Sequence, residues 1–210
     1  MLDDTLVIFT ADHGDYLGDH WLGEKELFHD TVQRVPLIVA DPRAAADATR
    51  GTVDPRFVEA VDIVPTILDA MQVAQPAQRL EGRSLQPLLH GEYPADWRDM
   101  AYSELDYSYR QARLTLGRPV DRCRAFSLRT ARWRYVYWLD LPEQLYDLQA
   151  DPDEFHDLGR DLATADIRAQ LRDRLLAFLA ARRHRTTVSD AQVAAATAGH
   201  KRAGVFYGQW

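Results

Sequence analysis

Thr5-Leu6-Val7-Ile8-Phe9-Thr10 followed by Ala11-Asp12-His13-Gly14 is the stretch on which the fold turns. An unbroken apolar and β-branched run of this length reads as a strand covered on both faces, as in a parallel α/β sheet. The polar turn after it brings a carboxylate and an imidazole to the strand's C-terminal end, where open α/β sheets bind ligands. An adjacent Asp and His can offer one oxygen and one nitrogen to the same divalent cation. The bland alternative is a helix cap followed by a surface histidine. Gly14 lets the backbone turn sharply.

Moving outward, Val35-Pro36-Leu37-Ile38-Val39-Ala40 reads as a second strand of the same kind, with Pro36 near its start. Asp62-Ile63-Val64-Pro65-Thr66-Ile67-Leu68-Asp69-Ala70-Met71 reads as a helix. Asp62 is its expected N-cap, Pro65 sits in the first turn, and Ile63, Ile67 and Ala70 keep helical spacing. Residues 82–89 read as a turn leading into a short helix. Beyond Pro94 the aromatic residues concentrate. Trp133-Arg134-Tyr135-Val136-Tyr137-Trp138 alternates like an antiparallel strand with one wet face. Gln144-Leu145-Tyr146-Asp147-Leu148 is a further short strand, closed by the turn Asp151-Pro152-Asp153-Glu154. Residues 162–183 are expected to be helical, with Leu171, Leu175, Leu176 and Leu179 on one face.

The expected organisation is α/β. Residues 1–92 form the C-terminal part of a catalytic core with a parallel sheet and helices. Residues 93–184 form a small α+β subdomain of antiparallel strands and a long helix, and 185–210 an extended tail. A doubly wound sheet needs several βα units, and only two parallel-strand candidates are visible. The chain therefore reads as the C-terminal part of something larger.

The chain has 210 residues, 46% hydrophobic and 27% charged, which suits a globular protein with a sizeable core. Its net charge of −7, with no basic block, argues against nucleic acid as a partner. The single cysteine, Cys123, excludes an intrachain disulfide. No apolar run reaches membrane-spanning length, and Met-Leu-Asp-Asp lacks the basic start of a signal peptide, so the expected location is cytoplasmic. There is no G-x-S-x-G elbow, Walker loop, G-x-G-x-x-G or C-x-x-C. Cys123 reads as a structural thiol at a strand start. Asp15, Asp19, His20, His29 and Asp30 offer either extra metal ligands or, as the favoured reading, a solvated loop. Lys25 is one of only two lysines, beside Lys201, in an arginine-rich chain. It is either an anchor for sulfate or phosphate oxygens or a surface lysine beside Glu24 and Glu26.

The segment Thr10-Ala11-Asp12-His13-Gly14-Asp15-Tyr16-Leu17-Gly18-Asp19-His20, with Lys25 following, resembles the C-terminal metal and anion motif of sulfatases in the alkaline phosphatase superfamily. The resemblance continues in order through Arg34–Val39, Val61–Asp69, Gly82–Leu85 and Glu143–Glu154. Many arylsulfatases carry Asp-Asn at the first position, whereas phosphonate monoester hydrolases and related phosphodiesterases carry Asp-His. Asp12-His13 places the chain nearer the latter branch.

The resemblance implies an alkaline-phosphatase-like sandwich, with one divalent metal (Mn, Zn or Ca) held by Asp12 and His13. It makes Lys25 a contact to a small anionic ester substrate. It also implies a formylglycine nucleophile, made in a C-x-P-x-R motif that lies in the part of the family preceding this chain. Cys123, followed by Arg-Ala-Phe, is not that residue. The isolated chain is expected to be nearly inactive. The alternative is a non-catalytic remnant or interaction module that needs a separate N-terminal half. Relatives that assemble through C-terminal arms mark residues 185–210 as a homo-oligomer contact.

Overall fold

A computed structural model describes residues 2–74, 78–183 and 185–197. The chain forms a mixed α/β structure with two antiparallel sheets and a long helix near the C-terminal end.

The first sheet has two strands, β1 (Val7–Thr10) and β2 (Leu37–Ala40). They pair antiparallel, Val7 opposite Ala40 and Phe9 opposite Ile38, which corrects the expected parallel arrangement. An apolar, β-branched run marks extended chain but not which way its neighbour runs. Parallel pairing needs a crossover that carries the chain back to its starting edge. Here the connection holds a short 3-10 turn (Asp19–Trp21) and a one-turn helix, α1 (Asp30–Gln33), and delivers the chain in the opposite direction. The expected cover on both faces is also absent among the described residues. Phe9 is 59% and Ile38 62% exposed, paired on one open face with Val7.

Helix α2 (Ile63–Ala70) forms where expected and buries Pro65 and Thr66, while Val64, Ile67 and Met71 form an exposed stripe. Asp62 does not cap it with a side-chain hydrogen bond. This fully buried carboxylate accepts the Glu59 and Arg83 N–H groups, both at 2.8 Å, and pairs with the Arg98 guanidinium. Gly82 is required beside it: a Cβ there would lie 1.9 Å from the Val61 carbonyl oxygen. Thr66 joins the helix to the next segment, donating to the Asp62 carbonyl at 2.6 Å and accepting from the Leu85 N–H at 2.9 Å. Helix α3 (Gln86–Leu89) follows.

The second sheet is a meander of β3 (Met100–Asp106), β4 (Arg124–Thr130), β5 (Trp133–Trp138) and β6 (Gln144–Asp147), all antiparallel. A short helix, α4 (Gln111–Thr115), lies in the β3–β4 connection. The long helix α5 (Ala165–Ala181) packs Leu171 and Leu175 against Leu128, Tyr135 and Leu145, with Leu179 at the margin. Leu176 is 55% exposed, contrary to its expected place on that face. The i, i+4, i+8 row of 171, 175 and 179 fills the contact, and position 176 is rotated off it.

The alternation in β5 is real, but its second face is not wet. Val136 and Trp138 pack with Phe28, and Arg134 is only 2% exposed. Alternation shows that polar side chains share a face. It does not show whether they meet water or a carboxylate. Cys123 is fully buried at the turn into β4, where its thiol donates to the Pro119 carbonyl at 3.2 Å. The tail, expected to be extended, contains helix α6 (Asp190–Ala196), and the rest of the proposed oligomer arm, 198–210, lies outside the described residues. No helix among the described residues is long and apolar enough to cross a membrane.

Candidate active site

Strand β1 ends at Thr10, so Asp12 and His13 leave the sheet at its C-terminal end. The chain then presses against α1. The Gly14 N–H donates to the Val32 carbonyl at 2.9 Å, and a Cβ on Gly14 would lie 2.2 Å from the Thr31 carbonyl oxygen. Only glycine permits that approach.

Beyond Gly14 the backbone folds into a narrow loop, with Tyr16 N–H bonded to Glu24 O at 2.9 Å and Gly18 N–H to Leu22 O at 3.0 Å. Leu17, His20, Trp21, Glu24 and Leu27 all adopt left-handed backbone angles, φ 47°, 53°, 57°, 60° and 70°. Such conformations are costly for residues other than glycine and persist where the surroundings impose them. This loop carries Lys25 back to His13.

The three site residues expected from the sequence come together. The Lys25 ammonium donates to His13 Nε2 at 2.6 Å, and Asp12 Oδ2 lies 3.5 Å from the same nitrogen. On its other side His13 Nδ1 is 2.6 Å from the Gly14 carbonyl oxygen. A carbonyl can only accept, so the network assigns the proton to Nδ1 and leaves the Nε2 lone pair to accept from Lys25. Asp12 Oδ1 accepts the His13 N–H at 3.0 Å, which holds the carboxylate beside the ring. One oriented imidazole nitrogen and one carboxylate suit a borderline divalent cation. Among the described residues no group of three or more His, Cys, Asp or Glu side chains is arranged to hold a metal.

The neighbouring loop residues hold structure rather than completing that set. Asp15 accepts the Leu17 N–H at 2.8 Å, and Asp19 accepts from the Thr31 hydroxyl at 3.4 Å. His20 stacks on His29 at 3.9 Å between ring centres, and the His29 Nδ1 lies 2.7 Å from the Tyr16 hydroxyl. Burial, reinforced by His20, pulls the His29 pKa down to about 4, so this neutral ring accepts a hydrogen bond from the tyrosine hydroxyl. Burial likewise raises Tyr16 to about 12.

Asp30, expected in a solvated loop, is the anchor of the whole segment. Arg129 donates to both its carboxylate oxygens at 2.8 Å, and Arg134 pairs with Asp30 and Glu154 together. The Asp30 N–H adds a 2.6 Å bond to Glu154. Burial works against the Asp30 charge, but Arg129 and Arg134 outweigh it and hold the carboxyl below its usual range. The only sequence sign of this network was the arginine in the middle of an aromatic strand.

Of the two glutamates flanking Lys25, Glu26 pairs instead with Arg110 at 2.8 Å. A separate open cavity of about 360 Å³ is lined by Arg43, Asp69, Gln72, Gln86 and His90; Asp12, His13 and Lys25 do not border it. Behind it Asp41, 2% exposed, is held well below the usual carboxylate range by the hydrogen-bonded Arg43 guanidinium.

The fold is of the sulfatase class. Residues 18–181 match the family described as N-sulphoglucosamine sulphohydrolase, C-terminal, and the chain is a member of that family. The match includes Lys25 and begins just after Asp12 and His13. The multifunctional alkaline phosphatase superfamily protein PehA of Trinickia caryophylli is 37% identical over 166 residues, covering 78% of this chain and 32% of its own length. The N-acetylglucosamine-6-O-sulfatase of Bacteroides thetaiotaomicron is 32% identical over 163 residues, covering 75% of this chain and 27% of its own.

Among solved structures, the phosphonate monoester hydrolase of Agrobacterium radiobacter aligns with a TM-score of 0.78 at 36% identity, over 85% of this chain and 35% of that one. The phosphonate monoester hydrolase of Silicibacter pomeroyi aligns with a TM-score of 0.81 at 34% identity, over 90% of this chain and 38% of that one. The fold is therefore that of the C-terminal part of sulfatases and phosphonate monoester hydrolases. The chain spans about a third of the length of these relatives.

Proposed function

We propose that this chain is the C-terminal segment of a metal-dependent hydrolase acting on sulfate, phosphodiester or phosphonate esters. Asp12 and His13 would hold one divalent cation (Mn, Zn or Ca), and Lys25 would contact the substrate anion. The observation that carries this reading is the convergence of an oriented imidazole, a carboxylate and an ammonium at the end of β1.

A divalent cation bound there supplies Lewis-acid polarisation of an ester oxygen. This chain's own part is to present the donors and bind charge. The Gly14 carbonyl fixes the His13 tautomer, Asp12 adds an anionic oxygen, and Lys25 offers a compact positive charge to sulfate or phosphate oxygens. Cys123 does not fit the formylglycine role, since its thiol is buried at the start of β4 and bonded to Pro119. Turnover by the isolated chain is accordingly expected to be close to background.

Calorimetric titration with Mn²⁺, Zn²⁺ and Ca²⁺ tests the site. Binding by the chain that is lost in Asp12→Ala/His13→Ala supports the reading. Equal binding by both proteins would overturn it.

A second reading is favoured by one feature, the open face of the two-stranded sheet. Phe9, Ile38 and Val7 are exposed there, and among the described residues each strand pairs only with the other. Such surfaces recruit a covering partner. In this reading the chain is an interaction module for a separate α/β half. A monodisperse monomer with a cooperative melt would count against it.

A further inference from the structure

Lys25 and a bound cation would compete for one electron pair. The neutral imidazole of His13 has a single lone pair at Nε2, because Nδ1 carries the proton shared with the Gly14 carbonyl. The Lys25 ammonium lies 2.6 Å from Nε2 and donates to it. Zinc would sit at roughly 2.0–2.1 Å from that nitrogen, so both cannot be accommodated.

Lys25 is nevertheless easy to move. It is exposed, on a flexible four-carbon stem, and among the described residues it forms no ion pair with a carboxylate. Glu26, the adjacent acid, is engaged by Arg110.

We propose that Lys25 is a cationic place-holder. It occupies the His13 lone pair when no divalent cation is present, and is released towards the anion when one binds. Cation and anion binding are then linked through one side chain, and the linkage is reciprocal. Lys25 opposes the metal although it serves the anion, the reverse of a simple site residue that helps both. This proposal rests on the metal reading of Asp12 and His13.

The test uses the full chain and Lys25→Met, which keeps the side chain's length and removes its charge and donors. In metal-free protein, nitrogen NMR of the His13 ring should show the Nε2 resonance moving in Lys25→Met while Nδ1 stays protonated. Mn²⁺ and Zn²⁺ should bind Lys25→Met about three- to tenfold more tightly, the size expected on removing one solvent-exposed hydrogen bond. Most of that gain should persist at 0.5 M salt, where long-range repulsion is screened to within about 4–5 Å. An unmoved Nε2 resonance would overturn the proposal, as would equal or weaker metal affinity. If Asp12→Ala/His13→Ala still abolishes binding in that case, the metal reading stands without it. Absence of metal binding in both wild type and Lys25→Met would overturn both.

Discussion

Arg129, on the second strand of the meander, grips both carboxylate oxygens of Asp30 at 2.8 Å, and so fastens the loop that carries the candidate site to the small sheet. Arg134 and Glu154 complete the tie from the neighbouring strand and turn. Removing one member of such a buried set leaves an uncompensated charge. Asp30→Asn should therefore cost about 3 kcal/mol in chemical denaturation. A loss below about 0.5 kcal/mol would show that the network is solvated.

Stability should fall on acidification through His29. Its folded pKa is depressed to about 4 by burial and then by His20, whereas an unfolded histidine titrates near 6.5. Between those values the unfolded chain binds more protons, so the stabilisation is complete above about pH 6.5 and is lost as the pH falls towards 4. Discounted for partial solvent access, this amounts to about 1–2 kcal/mol. Urea midpoints at pH 7 and pH 5 should differ more in wild type than in His29→Phe. An identical pH dependence in the two proteins would remove His29 from the account.

Gly14→Ala places a methyl group 2.2 Å from the Thr31 carbonyl oxygen. The backbone must shift, at a cost of about 1–3 kcal/mol. Because the Gly14 carbonyl orients His13, metal affinity should fall along with the melting temperature. A variant with unchanged melting temperature and metal affinity would refute the close approach.

Two adjacent leucines on the long helix should behave differently. Leu175, 1% exposed against the sheet, should lose about 2–5 kcal/mol on substitution by alanine. Leu176, 55% exposed, should lose less than about 0.5 kcal/mol. Similar losses at both positions would mean that the helix is rotated from this register.

Asp62→Ala leaves Arg98 and the Glu59 and Arg83 N–H groups without their shared acceptor. A loss of about 3–5 kcal/mol is expected in thermal or urea unfolding. Retention of wild-type stability would show that water or another acceptor replaces the carboxylate.

What the sequence revealed, and what it hid, follows from what each pattern encodes. Val7–Thr10, Leu37–Ala40 and Trp133–Trp138 were visible as strands because β-branched and aromatic residues favour extended chain, whether or not their faces are covered. Direction was not visible, since no residue pattern states which way a neighbouring strand runs, and the first pair turned out antiparallel. Asp12 and His13 stood out by their place at a strand end. The approach of Lys25 depended on a loop of left-handed residues that carries no glycine at five of its turning points. Arg134 and Asp62 were misjudged for one reason: a polar side chain announces its charge but not its partner, and these partners are distant in sequence.

The arginine bias of the chain gives the candidate site a chemical signature. Lysine occurs only at positions 25 and 201, so Lys25 is the sole lysine among the described residues. An amine-directed acylating reagent therefore marks very few atoms in this protein, one of them the ammonium against His13. The rate at which that one nitrogen is acylated, read by peptide mass, becomes a direct gauge of how firmly the imidazole holds it.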